Sequence, residues 1–91
     1  MVKSSHKLHA FVNIFAEAPM IDKVVEALYK VEELEELYEV SGEFDIVTIV
    51  SASNIEDLRE ILKNKIMNIK GIKSTVTSIA LMAHKGPKCE T

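Results

Sequence analysis

Apolar and polar positions along the chain switch several times between a two-residue and a 3.6-residue period. Leu8–Ala16 alternates Ala10, Val12, Ile14 with Phe11, Asn13, Phe15. Both sets are largely apolar, which predicts a strand covered on both faces. Pro19 suits the first position of a helix, and Ile21, Val24, Val25 and Leu28 follow at i, i+3, i+4 and i+7. Asp22 falls in the first turn, where its charge favours the helix dipole. By propensity this helix runs on to about Leu37, because Val31, Leu34, Leu37 and Tyr38 keep the period and no Gly or Pro interrupts them. Gly42 is the natural place for the chain to reverse, so Leu37–Gly42 and Phe44–Ala52 read as two strands of an antiparallel hairpin. Ser53-Asn54-Ile55-Glu56 has the form of a capping box, with the Ser53 hydroxyl and the Glu56 carboxylate satisfying backbone N–H groups reciprocally. A second helix then spans Asn54–Ile69 with a stripe of Leu58, Ile61, Leu62, Ile66 and Ile69, closed by Gly71. Ile72–Lys85 alternates again and reads as the last strand, stopped by Gly86-Pro87.

The order βαββαβ is the ferredoxin-like plan, α+β, with two helices on one face of a four-stranded antiparallel sheet. The second face would then present apolar residues of three strands to water. A patch of that size marks an interface, so a partner subunit is expected.

Length and charge narrow the class. The chain of 91 residues is one domain, with a polar arm at 1–7 and a tail at 86–91. A domain of this size buries roughly two thirds of its unfolded surface, so its core is modest. It is 47% hydrophobic and 27% charged, which excludes disorder, and its net charge of -3 disfavours nucleic acid as a partner. Cys89 is the single cysteine, so no intrachain disulfide forms and a reducing, cytoplasmic setting fits. No apolar run approaches the roughly 20 residues of a membrane span. Glu32, Glu33, Glu35, Glu36, Glu39 and Glu43 read as a solvated face.

The chain has little of the equipment of catalysis. There is no CxxC, GxGxxG or P-loop. His6-x-x-His9 and His84 read as surface histidines, and Cys89 has no activating neighbour in sequence, so neither a metal nor a cofactor is expected. Thr75, Thr77 and Ser78 form a hydroxyl cluster that is either ordinary strand composition or the polar lining of a pocket. Asp45 is an unexpected start for a strand as apolar as Ile46–Val50. It either accepts hydrogen bonds from the turn's own backbone or faces a ligand.

Val40-Ser41-Gly42-Glu43-Phe44-Asp45 resembles the hairpin of the effector-binding domain of the Lrp/AsnC, or feast/famine, transcription regulators. Gly71-Ile72-Lys73-Ser74-Thr75-Val76-Thr77-Ser78-Ile79 resembles the last strand of that domain, at matching spacing. The resemblance covers about Leu8 to Lys85. It implies a short turn near Glu32–Leu34 and a second strand from roughly Glu36, which ends the first helix near Val31 rather than Leu37. It also implies a dimeric α+β barrel built through the sheet faces, assembly into rings that are commonly octamers, and a free amino acid as effector. Full-length members carry a helix-turn-helix domain ahead of this unit, whereas only Met1–Lys7 precede the first strand here. The chain therefore resembles a stand-alone RAM domain that does not contact DNA directly and acts by assembling with DNA-binding relatives.

On that resemblance the amino acid lies between adjacent dimers, beside Gly42–Asp45 and the Thr75–Ser78 strand. Asp45 would accept from its ammonium, directly or through the turn. Backbone N–H groups near Gly42 and the hydroxyls of Thr75, Thr77 and Ser78 would donate to its carboxylate. Tyr38, Phe44 and Ile55 would border its side chain. Two other classes share the architecture: small dimeric α+β barrel enzymes of the monooxygenase type, and assembly domains without a ligand. The enzyme class needs a polar cluster inside the barrel, and apart from Asn13 the inward candidates are apolar or small.

Overall fold

A computed structural model of the chain describes residues 7–87. Four strands and two helices follow in the order β1 (Leu8–Ala16), α1 (Ile21–Tyr29), β2 (Leu34–Glu39), β3 (Ile46–Ala52), α2 (Ile55–Ile61) and β4 (Ile72–Ile79). The strands form one antiparallel sheet in the order β2-β3-β1-β4, which is the ferredoxin-like arrangement. Residues 1–6 and 88–91, which include His6, Cys89 and most of the arm, lie outside the described residues.

Register assigns each side chain to a face. Val12 opposes Thr48 and Thr77, and Ile14 opposes Ile46 and Thr75. Ala10, Val12, Ile14 and Ala16 of β1, with Ile46, Val50 and Ala52 of β3, are buried against Val24 and Leu28 of α1 and Leu58 and Ile61 of α2. Thr48 is buried among them without penalty, because its hydroxyl donates to the Val12 carbonyl at 3.1 Å. The other face carries Phe11, Asn13, Phe15, Val47 and Ile49, none of them fully buried, and Phe11 is 42% exposed. The strand that reads as covered on both sides is thus covered on one side only within the protomer.

Four boundaries differ from the sequence reading. Helix α1 opens with a 3-10 turn at Ala18–Met20 and stops at Tyr29, short of both Val31 and Leu37. Residues 30–33 then turn through Val31 N–H to Leu28 O and Leu34 N–H to Val31 O bonds, and β2 begins at Leu34 rather than Glu36 or Leu37. Tertiary pairing wins over helix propensity here: Leu34 and Leu37 face Val50 and Thr48 on the core side. The hairpin strands end at Glu39 and restart at Ile46, so the reversal is a six-residue loop closed by Val40 N–H donating to Asp45 O at 3.0 Å. Strand β4 ends at Ile79, not Lys85, because its last neighbour on β1 is Ala10; one further bond, Ala80 N–H to His9 O, finishes the ladder.

The cap of α2 is shifted by one residue from Ser53/Glu56. Asn54 Oδ1 accepts from Asp57 N–H at 2.8 Å and Asp57 Oδ2 accepts from Ser53 N–H at 2.9 Å. The helix then loosens into a π-helical turn at Leu62–Ile66, marked by Met67 N–H donating to Leu62 O, and it ends there instead of at Ile69. Gly71 has φ +104, and a Cβ there would stand 2.7 Å from the Met20 Cβ. That position therefore sets how closely β4 approaches α1.

Candidate functional site

The loop between β2 and β3 is built around Asp45. Its N–H donates to Ile14 O at 3.0 Å, and its Oδ2 accepts from Ala16 N–H at 2.8 Å. Ala16 is where the β1–β4 register shifts, so the amide held by Asp45 belongs to an irregular point of the ladder. The carboxylate thus bonds not to the backbone of its own turn but to a strand 29 residues earlier. Phe44 turns back onto Phe15 of the open face, with ring centroids 4.9 Å apart and planes tilted by 49°. Gly42 has φ +123 with nothing near the position of a Cβ, and it is exposed. Inside the protomer, backbone conformation alone requires glycine there.

The eight site residues expected from sequence separate into groups. Gly42, Phe44 and Asp45 share the loop, and Tyr38 sits on the neighbouring edge strand opposite Val47. The Tyr38 hydroxyl donates to Glu36 Oε1 at 2.7 Å, and that bond to a carboxylate raises the tyrosine pKa above its ordinary value. Thr75 opposes Ile14, whose carbonyl receives the Asp45 N–H, so it lies at the same end of the sheet. Thr77 opposes Val12 on the helix side, whereas Ser78 opposes Phe11 on the open side. The three hydroxyls therefore do not form one cluster: strand alternation sends Ser78 to the other face. Ile55 opens α2, beyond the far end of β3 from the loop, and the protomer does not bring it to the others.

Two grooves flank this region, and neither is lined by any of the eight. One, of about 840 Å³, lies over Phe11 and Ile49 of the open face and under residues 80–87. The other, of about 430 Å³, lies between α1 and β2, with Val25, Leu28 and Leu37 among its lining and Glu35 and Glu39 beside them.

Sequence reading missed a polar network at the opposite end of the sheet. His9 is a half-buried strand residue, not a surface histidine of an arm. Its Nδ1 lies 3.1 Å from the hydroxyl of buried Ser51, which in turn donates a hydrogen bond to Glu35 Oε2. A serine hydroxyl has one proton; since that proton goes to Glu35, His9 Nδ1 must carry a hydrogen and donate. Nearby, Glu33 Oε2 accepts from Lys65 Nζ at 2.7 Å, joining the start of β2 to the π-helical turn. The Lys65 bond holds the Glu33 carboxyl below its ordinary value against the opposing pull of burial, and Glu33 in turn raises Lys65. The glutamate run is therefore not simply a solvated face: Glu33, Glu35 and Glu36 each hold a named partner. The one readable signal was that serine and histidine face each other once β1 and β3 are set in register.

Among the described residues no cluster of three or more His, Cys, Asp or Glu could hold a metal ion, and no helix is long and apolar enough to cross a membrane. A ferredoxin-like sheet with helices on one face, an apolar face left open and a Gly-x-Phe-Asp loop clasped to the sheet defines the class, an α+β domain with one uncovered sheet face. The chain belongs to the Lrp/AsnC ligand binding domain family, whose profile matches residues 9–88. It is 35% identical over 83 residues to the uncharacterized HTH-type transcriptional regulator PH0140 of Pyrococcus horikoshii, a match that takes in 91% of this chain and 52% of that protein. The chain thus spans about half the length of the curated relatives it matches. The structure of Escherichia coli AsnC superposes with a TM-score of 0.82 at 27% identity, covering 100% of this chain and 62% of that one. A feast or famine regulatory protein from M. tuberculosis, complexed with L-methionine, superposes with a TM-score of 0.73 at 26% identity, covering 91% of this chain and 56% of that one.

Proposed function

We propose that this chain is an amino-acid effector and assembly domain that modulates transcription, or amino-acid metabolism, by assembling with helix-turn-helix relatives. The observation that carries the reading is the loop at Gly42–Asp45: exposed at its tip, pinned at its base by Asp45 to Ile14 and Ala16, and set at one end of an uncovered apolar face. The methionine complex of the mycobacterial relative supports a free amino acid as ligand. Two copies pair through the open faces, and dimers assemble further into a ring of eight. The amino acid lies between adjacent dimers, with Asp45 Oδ1 toward its ammonium. Backbone N–H groups near Gly42 and the hydroxyls of Thr75 and Thr77 serve its carboxylate, while Ser78, on the other face of β4, takes no part. Tyr38 and Phe44 border the side chain from one subunit, and Ile55, at the other end of the sheet, borders it from a neighbour. Calorimetric titration with a panel of the twenty amino acids, paired with light scattering, tests this. Saturable heat for at least one amino acid by an assembled species is expected. A monomer, or an assembly that binds none of them, contradicts it.

A further inference from the structure

The groove between α1 and β2 lies on the side of the sheet that the helices cover. The strand order β2-β3-β1-β4 puts β2 outermost, and α1 is the helix packed beside it. Val25, Leu28 and Tyr29 of α1 form one wall, and Leu34 and Leu37 of β2 stand in the other. Leu28 is fully buried, but Val25, Leu34 and Leu37 are only half-buried and Tyr29 is 82% exposed. The protomer thus leaves an apolar seam of about 430 Å³ open along the flank of a helix, with an exposed aromatic ring on its rim. The charged residues in the lining are Glu35, Glu36 and Glu39, all of one sign.

We infer that this groove receives a basic amphipathic helix of a partner protein, laid beside α1 over the outer edge of β2. The apolar stripe of such a helix, at i, i+4 and i+7, fills the seam, and its lysines or arginines meet the glutamate rim. Charge selects this occupant. Nucleic acid and an anionic lipid surface are repelled by a rim of carboxylates. A second copy set groove to groove about a two-fold axis would bring Glu39 and its neighbours against their own counterparts. The helices of this chain do not supply the stripe either. α1 carries Asp22 and Glu26 against Lys23, and α2 carries Glu56, Asp57 and Glu60 against Arg59, so both are acidic. The inference goes beyond the amino-acid reading and does not depend on it, because Gly42, Phe44 and Asp45 do not line the groove.

The probe is a capped, fluorescent peptide of about 14 residues, roughly 20 Å long as a helix, with leucines on one face and lysines on the other. Fluorescence anisotropy against the full chain should show saturable binding. A peptide of the same composition with its leucines spread around the helix, and one with glutamate for lysine, should each bind about tenfold more weakly or worse. The double variant Tyr29→Ser/Glu39→Lys changes two exposed positions, so its circular dichroism should match the parent, yet it should lose about tenfold in affinity for the amphipathic peptide. Glu56→Lys makes the same charge change on α2, away from the groove, and should bind like the parent. Amide shifts caused by the peptide should fall at 25–29 and 34–39. No binding by the parent, equal binding of the scrambled peptide, or a double variant that binds as tightly overturns the inference. A smaller assembly for Tyr29→Ser/Glu39→Lys in sedimentation velocity would give the seam to a second copy and also overturn it. Amino-acid titration of the double variant should match the parent, so the two readings fail separately.

Discussion

The Asp45 carboxylate grips the Ala16 backbone amide at 2.8 Å across 29 residues of sequence. One oxygen thereby ties the loop at the candidate ligand site to an irregular point of β1. Removing it should weaken the fold. A hydrogen bond to a charged group contributes about 1.5–3 kcal/mol, so Asp45→Ala should lower the melting temperature by roughly 4–8 °C for each kcal/mol lost. Asp45→Asn keeps an acceptor for Ala16 and removes the charge. On the proposed function it should melt close to the parent yet bind the effector about tenfold to a hundredfold more weakly. Paired melts and calorimetric titrations check both. An Asn variant with unchanged affinity would confine Asp45 to the fold.

Two glycines with positive φ should respond differently. At Gly42 a Cβ meets open space, and only the backbone conformation resists it. Gly42→Ala should cost about 1–2 kcal/mol. At Gly71 the same conformational cost is joined by collisions at 2.7 Å with the Met20 Cβ and 2.9 Å with the Val24 Cγ2. Gly71→Ala should therefore cost about 2–4 kcal/mol. Urea midpoints of the two variants measure the difference. Equal midpoints would mean that α1 moves aside freely.

Periodicity alone was enough for the first strand, the apolar stripes of both helices and the βαββαβ order. It failed where local and tertiary preferences compete. Val31–Leu37 has helical spacing, but Leu34 and Leu37 pair with Val50 and Thr48 and pack against the core from the sheet, and nothing local announces that choice. The cap moved from Ser53 to Asn54 because both residues are good caps and only packing decides between them. The candidate site was half legible. Gly42, Phe44 and Asp45 are neighbours in sequence and remain so in space, whereas Thr77 and Ser78 part because adjacent strand residues face opposite ways. His9 was hidden because its partners Ser51 and Glu35 come from two other strands.

Ser51→Ala should expose what that buried hydroxyl does. It takes away the acceptor for His9 Nδ1 and the donor to Glu35 together. The expected cost is about 1–3 kcal/mol, the usual penalty for leaving polar groups without partners. Nitrogen chemical shifts of the imidazole provide a sharper reading. In the parent, neutral His9 should carry its hydrogen on Nδ1, and in Ser51→Ala that preference should disappear. A parent with its hydrogen on Nε2 would reverse the direction of the bond assigned here.

The Glu33–Lys65 pair predicts how stability changes with pH. Lys65 holds the Glu33 carboxyl below its ordinary 4.5, so below that pH the unfolded chain takes up a proton before the folded one does. The stabilisation from Glu33 is therefore present above 4.5 and is lost as pH falls through the lower, folded value. Lys65 is raised above its ordinary 10.5, so its contribution is complete below that pH and is lost as pH rises through the folded value. Comparing the parent with Lys65→Met should thus give a stability difference that is level between about pH 6 and 9 and declines on both sides. The difference should be small even at its maximum, because the lysine side chain is 49% exposed and water screens the pair. It should shrink further in 1 M salt, where the screening length falls to about 3 Å. Urea unfolding at pH 3, 5, 7 and 9 measures the curve. A difference that does not fall toward pH 3 would show that Lys65 does not hold the Glu33 carboxyl down.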